Sequence, residues 1–199
     1  MTSVVTLLAR DVHPRDAYAL LTSLIIPRPI AWVSTMDAQG HTNLAPFSYF
    51  TGLGSDPPML TLGIGDKKDG PKDTLRIARA SGVLCVNLVE EHDAVRMNAS
   101  SREYPPEESE IDALAIETVP CTAIAGVRVK SSRAAFECKV LDVHTYGSKL
   151  KVNLVVCEVV CFHHDEAIHS DDDVQPIARL GGPRYAKLGE RFSLERPKS

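Results

Sequence analysis

The chain has 199 residues, of which 44% are hydrophobic and 24% charged, enough for one domain with a sizeable core and too few for two full ones. Its 22 Lys and Arg against 26 Asp and Glu leave a formal net charge of −4, a field that disfavours nucleic acid and anionic membrane surfaces as partners. No apolar run approaches the roughly 20 residues of a membrane span, and Met1–Arg10 lacks the basic-then-apolar order of a signal peptide. The five cysteines are odd in number and mostly set in apolar segments such as Val83–Val86, so they read as buried free thiols of a reducing compartment. The expectation is a soluble, cytoplasmic protein.

In chain order, Asp11–Leu24 reads as a helix with Tyr18, Leu21 and Leu24 on one side. Ile30–Thr35 is β-branched and aromatic, Asp37–Gly40 supplies turn residues, and His41–Pro46 returns, so a hairpin is predicted. A strand at Met59–Ile64 leads to a helix capped by Asp73 or Thr74, with Leu75, Ile77 and Ala78 inward. A strand over Val83–Val89 precedes a second helix over Glu90–Ser100, carrying Ala94, Val95 and Met97 on a partial apolar face. Ser101–Ile111, with Pro105-Pro106 and Glu107-Glu108, reads as a solvated excursion. Strands follow at Ala123–Val129, Ala134–Tyr146 and Lys151–Phe162, the last two joined by a tight turn at Tyr146-Gly147-Ser148. Asp171–Asp173 reads as a solvated acidic loop. The arrangement fits a single domain over 1–189 with a frayed tail at 190–199. Antiparallel strands with helices inserted between them point to an α+β, mainly β, barrel rather than a doubly wound parallel sheet.

Nucleotide-loop, zincin and nucleophile-elbow signatures are missing, and no catalytic side chain is predicted. Cys157, Cys161, His163 and His164 are the one metal-type cluster in the sequence; on an extended strand they spread over too great a length to meet at one ion, so no metal site is expected. Chemistry is instead suggested by three polar segments. Pro27 and Pro29 hold Arg28 extended at a strand entrance. Asn43 and Ser48 offer hydrogen bonds, Ala45 and Pro46 permit close approach, and Phe47, Tyr49 and Phe50 can wall off a flat ligand. Lys67-Lys68 and Lys72-Asp73-Thr74 place cations and a hydroxyl at a helix N-terminus, a ready phosphate site. Turn and cap chemistry explains each segment taken singly. Together they supply a flat apolar wall, amide-type hydrogen bonding and an anion site, the needs of flavin mononucleotide (FMN).

Pro27–Thr35, Asn43–Phe50, Asp56-Pro57-Pro58 and Lys72-Asp73-Thr74, with Phe136-Glu137-Cys138 and Arg179–Tyr185 further on, resemble the flavin reductase-like, FMN-binding split-barrel family that includes flavoredoxin. The resemblance implies a split β-barrel homodimer with FMN at the subunit interface. It implies contacts to the isoalloxazine and ribityl chain from Ser34, Thr35 and the Asn43, Leu44, Ala45, Pro46 and Ser48 segment. It further implies phosphate contacts from Lys72 and Thr74, with Arg28 as a contributor, and Tyr185 lining the nicotinamide or flavin face. The activity implied is hydride transfer from NADH or NADPH to flavin, supplying a monooxygenase partner. Alternatives within the resemblance are a flavoredoxin-like electron carrier reduced by a protein partner and a non-catalytic FMN-binding protein.

Overall fold

The computed structural model describes residues 4–105, 108–148 and 150–197. The first helix, α1 (Pro14–Leu24), begins later than the sequence suggests, because Pro14 favours a first helical turn and His13 Nδ1 accepts the Arg15 amide as its cap. The hairpin forms as expected from β1 (Ala31–Met36) and β2 (Thr42–Phe47), paired antiparallel from Ala31↔Phe47 to Met36↔Thr42. A strand not foreseen, β3 (Phe50–Ser55), pairs with β4 (Pro58–Gly65) at the sheet edge. Its Thr-Gly-Leu-Gly-Ser run lacks the hydrophobic alternation that marks a strand, and it lies largely exposed at that edge. Next come α2 (Asp73–Ser81) and β5 (Val83–Asn87), with the left-handed Gly82 closing the helix between them.

The predicted second helix splits into a 3-10 turn (Glu91–Asp93) and α3 (Ala94–Ala99). Met97 is buried, but Val95 points to solvent at 82% exposure, contrary to expectation. The excursion after it is only partly solvated: Ser109 caps the short α4 (Glu110–Ala113), in which Glu110 and Ile111 are buried. Pro106 and Glu107 lie outside the described residues. The predicted Ala123–Val129 strand contracts to β7 (Val127–Val129), paired with β6 (Thr118–Pro120). Strand pairing stops short because the amides of Thr122, Ala123 and Ile124 all donate to the Glu137 carboxylate.

The long pair β8 (Ala134–Tyr146) and β9 (Val152–His164) forms as predicted, with bulges at Glu137/Cys138 and Val140/Asp142. Gly147 turns the chain with φ +85°, and a Cβ there would run into the Leu150 carbonyl. The small β10 (Ala178–Arg179) and β11 (Tyr185–Ala186) complete the strands. The main sheet has the order β2-β1-β5-β8-β9-β4-β3, every neighbouring pair antiparallel. Arg191, assigned to the tail, donates to the Asp172 and Val174 carbonyls, so the tail is anchored at its start; Lys198 and Ser199 lie outside the described residues.

β1 is buried on both faces, and its alternation divides the interior in two. Ala31 and Val33 join Leu60, Leu62, Leu75, Leu84 and Val155 in one core; Trp32 joins Leu44, Val89, Met97, Ile111 and Val129 in the other. Trp32 is fully buried, its apolar body contributing on the order of 2–3 kcal/mol, and its indole N–H donates to Ser100 Oγ at 2.9 Å. Tyr18, Leu21 and Leu24 do share a side of α1, but that side is 59%, 51% and 75% exposed. Among the described residues no helix is long and apolar enough to cross a membrane.

Candidate functional site

The end of β2 is the meeting point of three depressions. Pro46 lines all three, and Phe47 and Ser48 line the two larger ones. A cavity of about 340 Å³ lies toward α1, Met97 and Tyr185; an open groove of about 910 Å³ runs past Tyr49, Gly63, Lys67, Lys72 and Leu150. A smaller recess of about 110 Å³ is bounded by Asn43, Ala45, Lys72, Thr74, Ser101 and Glu110.

The recess and groove share the N-terminus of α2. Lys72 is its N-cap by backbone conformation, correcting the expectation of Asp73 or Thr74, and no side chain among the described residues caps the first-turn amides. Thr74 instead lies inside the helix, buried, its hydroxyl accepting from Asn43 Nδ2 at 2.9 Å. Asp73 is occupied by Lys67 Nζ at 2.6 Å and by Arg76 at 2.9 Å, and these partners outweigh burial to hold its carboxyl below the usual range. Lys72 has no hydrogen bond or ion pair among the described residues; its ammonium sits 5.5 Å from the Phe47 ring centroid. Burial, aided by the Lys67 charge, pushes its pKa below that of an ordinary lysine. First-turn amides without a side-chain cap and a half-buried cation without a hydrogen-bond or ion-pair partner thus meet at this corner, among the described residues.

Other predicted residues are placed differently. Ser34, Thr35 and Leu44 line none of these three cavities, because β1 and the middle of β2 are interior. Ser34 Oγ donates to the Val127 carbonyl and accepts from Asn87 Nδ2; Leu44 is a core side chain whose amide donates to Glu110 Oε2 at 2.9 Å. Arg28 does line the 340 Å³ cavity, but its guanidinium is committed inward, donating to the carbonyls of Thr22, Ile25 and Leu180 and to Ser48 Oγ. It ties α1 to the region before β11 rather than reaching out for a ligand. Tyr185 lines the same cavity, its hydroxyl donating to Asn98 Oδ1 at 2.8 Å and its ring covered by the Arg179 guanidinium at 4.5 Å.

Two features escaped the sequence. Glu110 was hidden in an acidic, proline-rich stretch; the signal that could have found it is Ser109 as a helix cap directly before it. Burial raises the Glu110 pKa, partly opposed by the Leu44 amide. The second is a cross-strand cluster. Cys161 Sγ lies 3.6 Å from His163 Nε2, which is 2.5 Å from Glu137 Oε1 on β8. Cys161 and His163 share a face as expected, and the third group comes from the neighbouring strand, which a single-strand reading cannot supply; the three donor atoms lie within 4.8 Å of one another. The Glu137 carboxylate is already filled by three backbone amides and His163, which marks it as a structural anchor for the 122–124 loop.

A family model described as a flavin reductase-like domain matches residues 23–178. The chain belongs to the flavin reductase-like family. Nitrilotriacetate monooxygenase component B from Bacillus cereus shares 31% identity, with 98% of this chain and 100% of that one covered at a TM-score of 0.93. The 2-nitrobenzoate 2-nitroreductase NbaA of Pseudomonas fluorescens shares 29% identity over 97% of this chain and 96% of that one, TM-score 0.86. Protein YwrF of Bacillus subtilis is 35% identical, with 95% of this chain and 97% of that one covered. As a flavin reductase-like protein the chain has the split-barrel fold anticipated from its motifs; its sheet is open at β2 and β3.

Proposed function

We propose that this protein binds FMN and transfers hydride to it from NADH or NADPH, working as a homodimer. The observation that carries the reading is the half-buried Lys72, without a hydrogen-bond or ion-pair partner among the described residues, at an N-terminus of α2 that none of them caps, beside the Pro46–Ser48 shelf. The residues fit the cofactor: Lys72, the first-turn amides and the Thr74 hydroxyl would hold the phosphate. Asn43 and Ala45 flank the recess where the ribityl chain would run, and Pro46, Phe47 and Ser48 would border the ring.

Bound flavin supplies the hydride-accepting chemistry, so the chain need furnish no acid–base pair. Its own part is to fix the anion, to keep the ring edge against backbone and to exclude water from the apolar side. Ser48 Oγ, accepting from Arg28 Nε at 3.3 Å, keeps a hydroxyl proton free to donate toward a carbonyl at the ring edge.

The dimer is supported by the exposed apolar side of α1, since Tyr18 of that helix lines both larger cavities, so a second copy packed there would close them. Five free thiols support placement in the reducing cytoplasm. The Bacillus cereus relative is a monooxygenase component, which supports reduced flavin passing on to an oxygenase.

The test is the visible spectrum of the purified protein with FMN, before and after anaerobic NADH or NADPH. A bound flavin bleached by either nucleotide is expected. A bound flavin that neither reduces overturns the nucleotide step in favour of an electron carrier served by a protein, or of a non-catalytic FMN-binding protein; failure to bind FMN overturns the whole reading.

A further inference from the structure

The 340 Å³ cavity shares Pro46–Ser48 with the groove that reaches Lys72 but is not itself lined by Lys72, and its volume is within the range of small-molecule pockets, roughly 300–1,000 Å³. Its walls include Tyr18, Ile30, Phe47 and Met97, which suit a flat apolar body. Of its lining residues none is acidic and two are arginines. The two differ in what they touch. Arg28 spends its fork on protein carbonyls and Ser48. Arg179 has no hydrogen bond or ion pair from its side chain among the described residues; its guanidinium sits over the Tyr185 ring, 4.5 Å to the centroid.

That stack is itself held in place. Arg179 and Tyr185 are register partners across β10 and β11, and the Tyr185 hydroxyl is pinned by Asn98 Oδ1. A guanidinium held beside an aromatic ring by a cation–π contact still has N–H donors to spend, and two of them match the two oxygens of a carboxylate or phosphate. A cation without a partner among the described residues, on the wall of a pocket whose lining holds no acid, suits an anionic ligand.

We propose that Arg179 makes this cavity a subsite for a planar ligand carrying an oxyanion, and so determines which second ligand is accepted beside the flavin. The proposal rests on the flavin reading for its place in catalysis, not for the binding itself. The oxyanion belongs either to the carboxylate of a planar acid or to the phosphate of the pyridine dinucleotide.

Isothermal titration of the FMN-loaded protein with benzoate, benzamide and NAD+ separates these sources, with Arg179→Gln and Arg179→Lys alongside wild type. FMN affinity is measured first for each protein; wild type that takes up no FMN sinks the flavin reading, and benzoate against benzamide is then titrated into the flavin-free protein. If the acid is the source, wild type binds benzoate at least tenfold more tightly than benzamide, Arg179→Gln removes that preference, Arg179→Lys restores part of it, and benzamide changes less than twofold. If the dinucleotide is the source, the tenfold loss appears for NAD+ alone, with partial recovery in Arg179→Lys. Equal binding of benzoate and benzamide by wild type, together with unchanged NAD+ binding in Arg179→Gln, overturns the proposal. Should Arg179→Gln fail to fold, the wild-type preference and Arg179→Lys carry the test.

Discussion

Asn43 Nδ2 donates to Thr74 Oγ1 at 2.9 Å, a buried bond that ties β2 to the first turn of α2 directly beneath the proposed phosphate corner. Asn43→Ala should therefore cost about 1–2 kcal/mol of stability, the usual scale for a buried bond whose partner is left unpaired. It should also weaken FMN by letting the helix N-terminus drift. Chemical denaturation and flavin fluorescence quenching on one preparation would measure both, and an unaltered FMN affinity would detach Asn43 from the site.

Lys72→Ala should weaken FMN by roughly 1.5–3 kcal/mol, the range for a hydrogen bond to a charged group, and leave riboflavin nearly unaffected. Burial and Lys67 lower the Lys72 pKa. The sign follows: the ammonium is lost as pH rises, and at a lower pH than for an exposed lysine, so FMN affinity should decline on the alkaline side while riboflavin affinity does not. Titrations at several pH values check this, and parallel curves for the two ligands would place Lys72 away from the phosphate.

Glu137 is fully buried; burial pushes its pKa up, but the Thr122 and Ala123 amides and His163 outweigh this and hold it below the usual value. A carboxylate lowered on folding contributes stability above its unfolded pKa and loses it as pH falls through the folded one. Glu137→Gln should cost about 2–3 kcal/mol at neutral pH and flatten the acid side of the stability profile. Urea unfolding from neutral to acid pH reads both effects.

The thiols should separate by reactivity. Burial pushes Cys157 up to about 12, burial with neighbouring groups pushes Cys138 well up, and the adjoining Cys121 thiol together with burial pushes Cys85 up. Cys121 and Cys161 are the two half-buried thiols; the adjoining Cys85 lowers Cys121, whereas burial raises Cys161. In the native protein a disulfide reagent should modify Cys121 first, and Cys121→Ser should remove the fast phase; a fast phase that survives would assign the accessible thiol elsewhere.

Leu21→Asp with Leu24→Asp, on the exposed side of α1, should leave the fold intact and yield a monomer by sedimentation with weakened flavin retention. A dimer that persists would move the interface to another face.

Local patterns carried far in this chain. The β1–β2 hairpin and the ends of β8 were legible because β-branched runs stand between clear turn residues, and Gly147 announces the bend after them. What stayed hidden depends on distant partners. Ala123–Ile124 look like strand, yet a carboxylate on β8 takes their amides; Glu110 looks solvated, yet the Leu44 amide draws it inside. Likewise the proline-bracketed Arg28 was legible as a directed side chain, but its direction, toward carbonyls on both sides of the sequence, was not.

That inward arginine also says where the folding unit ends. The matched family segment stops at residue 178, whereas Arg28 reaches the Leu180 carbonyl and Arg28 and Arg179 exchange backbone hydrogen bonds. A truncation at the segment's border would strip a buried guanidinium of an acceptor and remove half of the Arg28–Arg179 bridge. The border drawn by sequence likeness therefore falls inside a cooperative piece of structure, and the last turns of chain are the latch rather than the fringe.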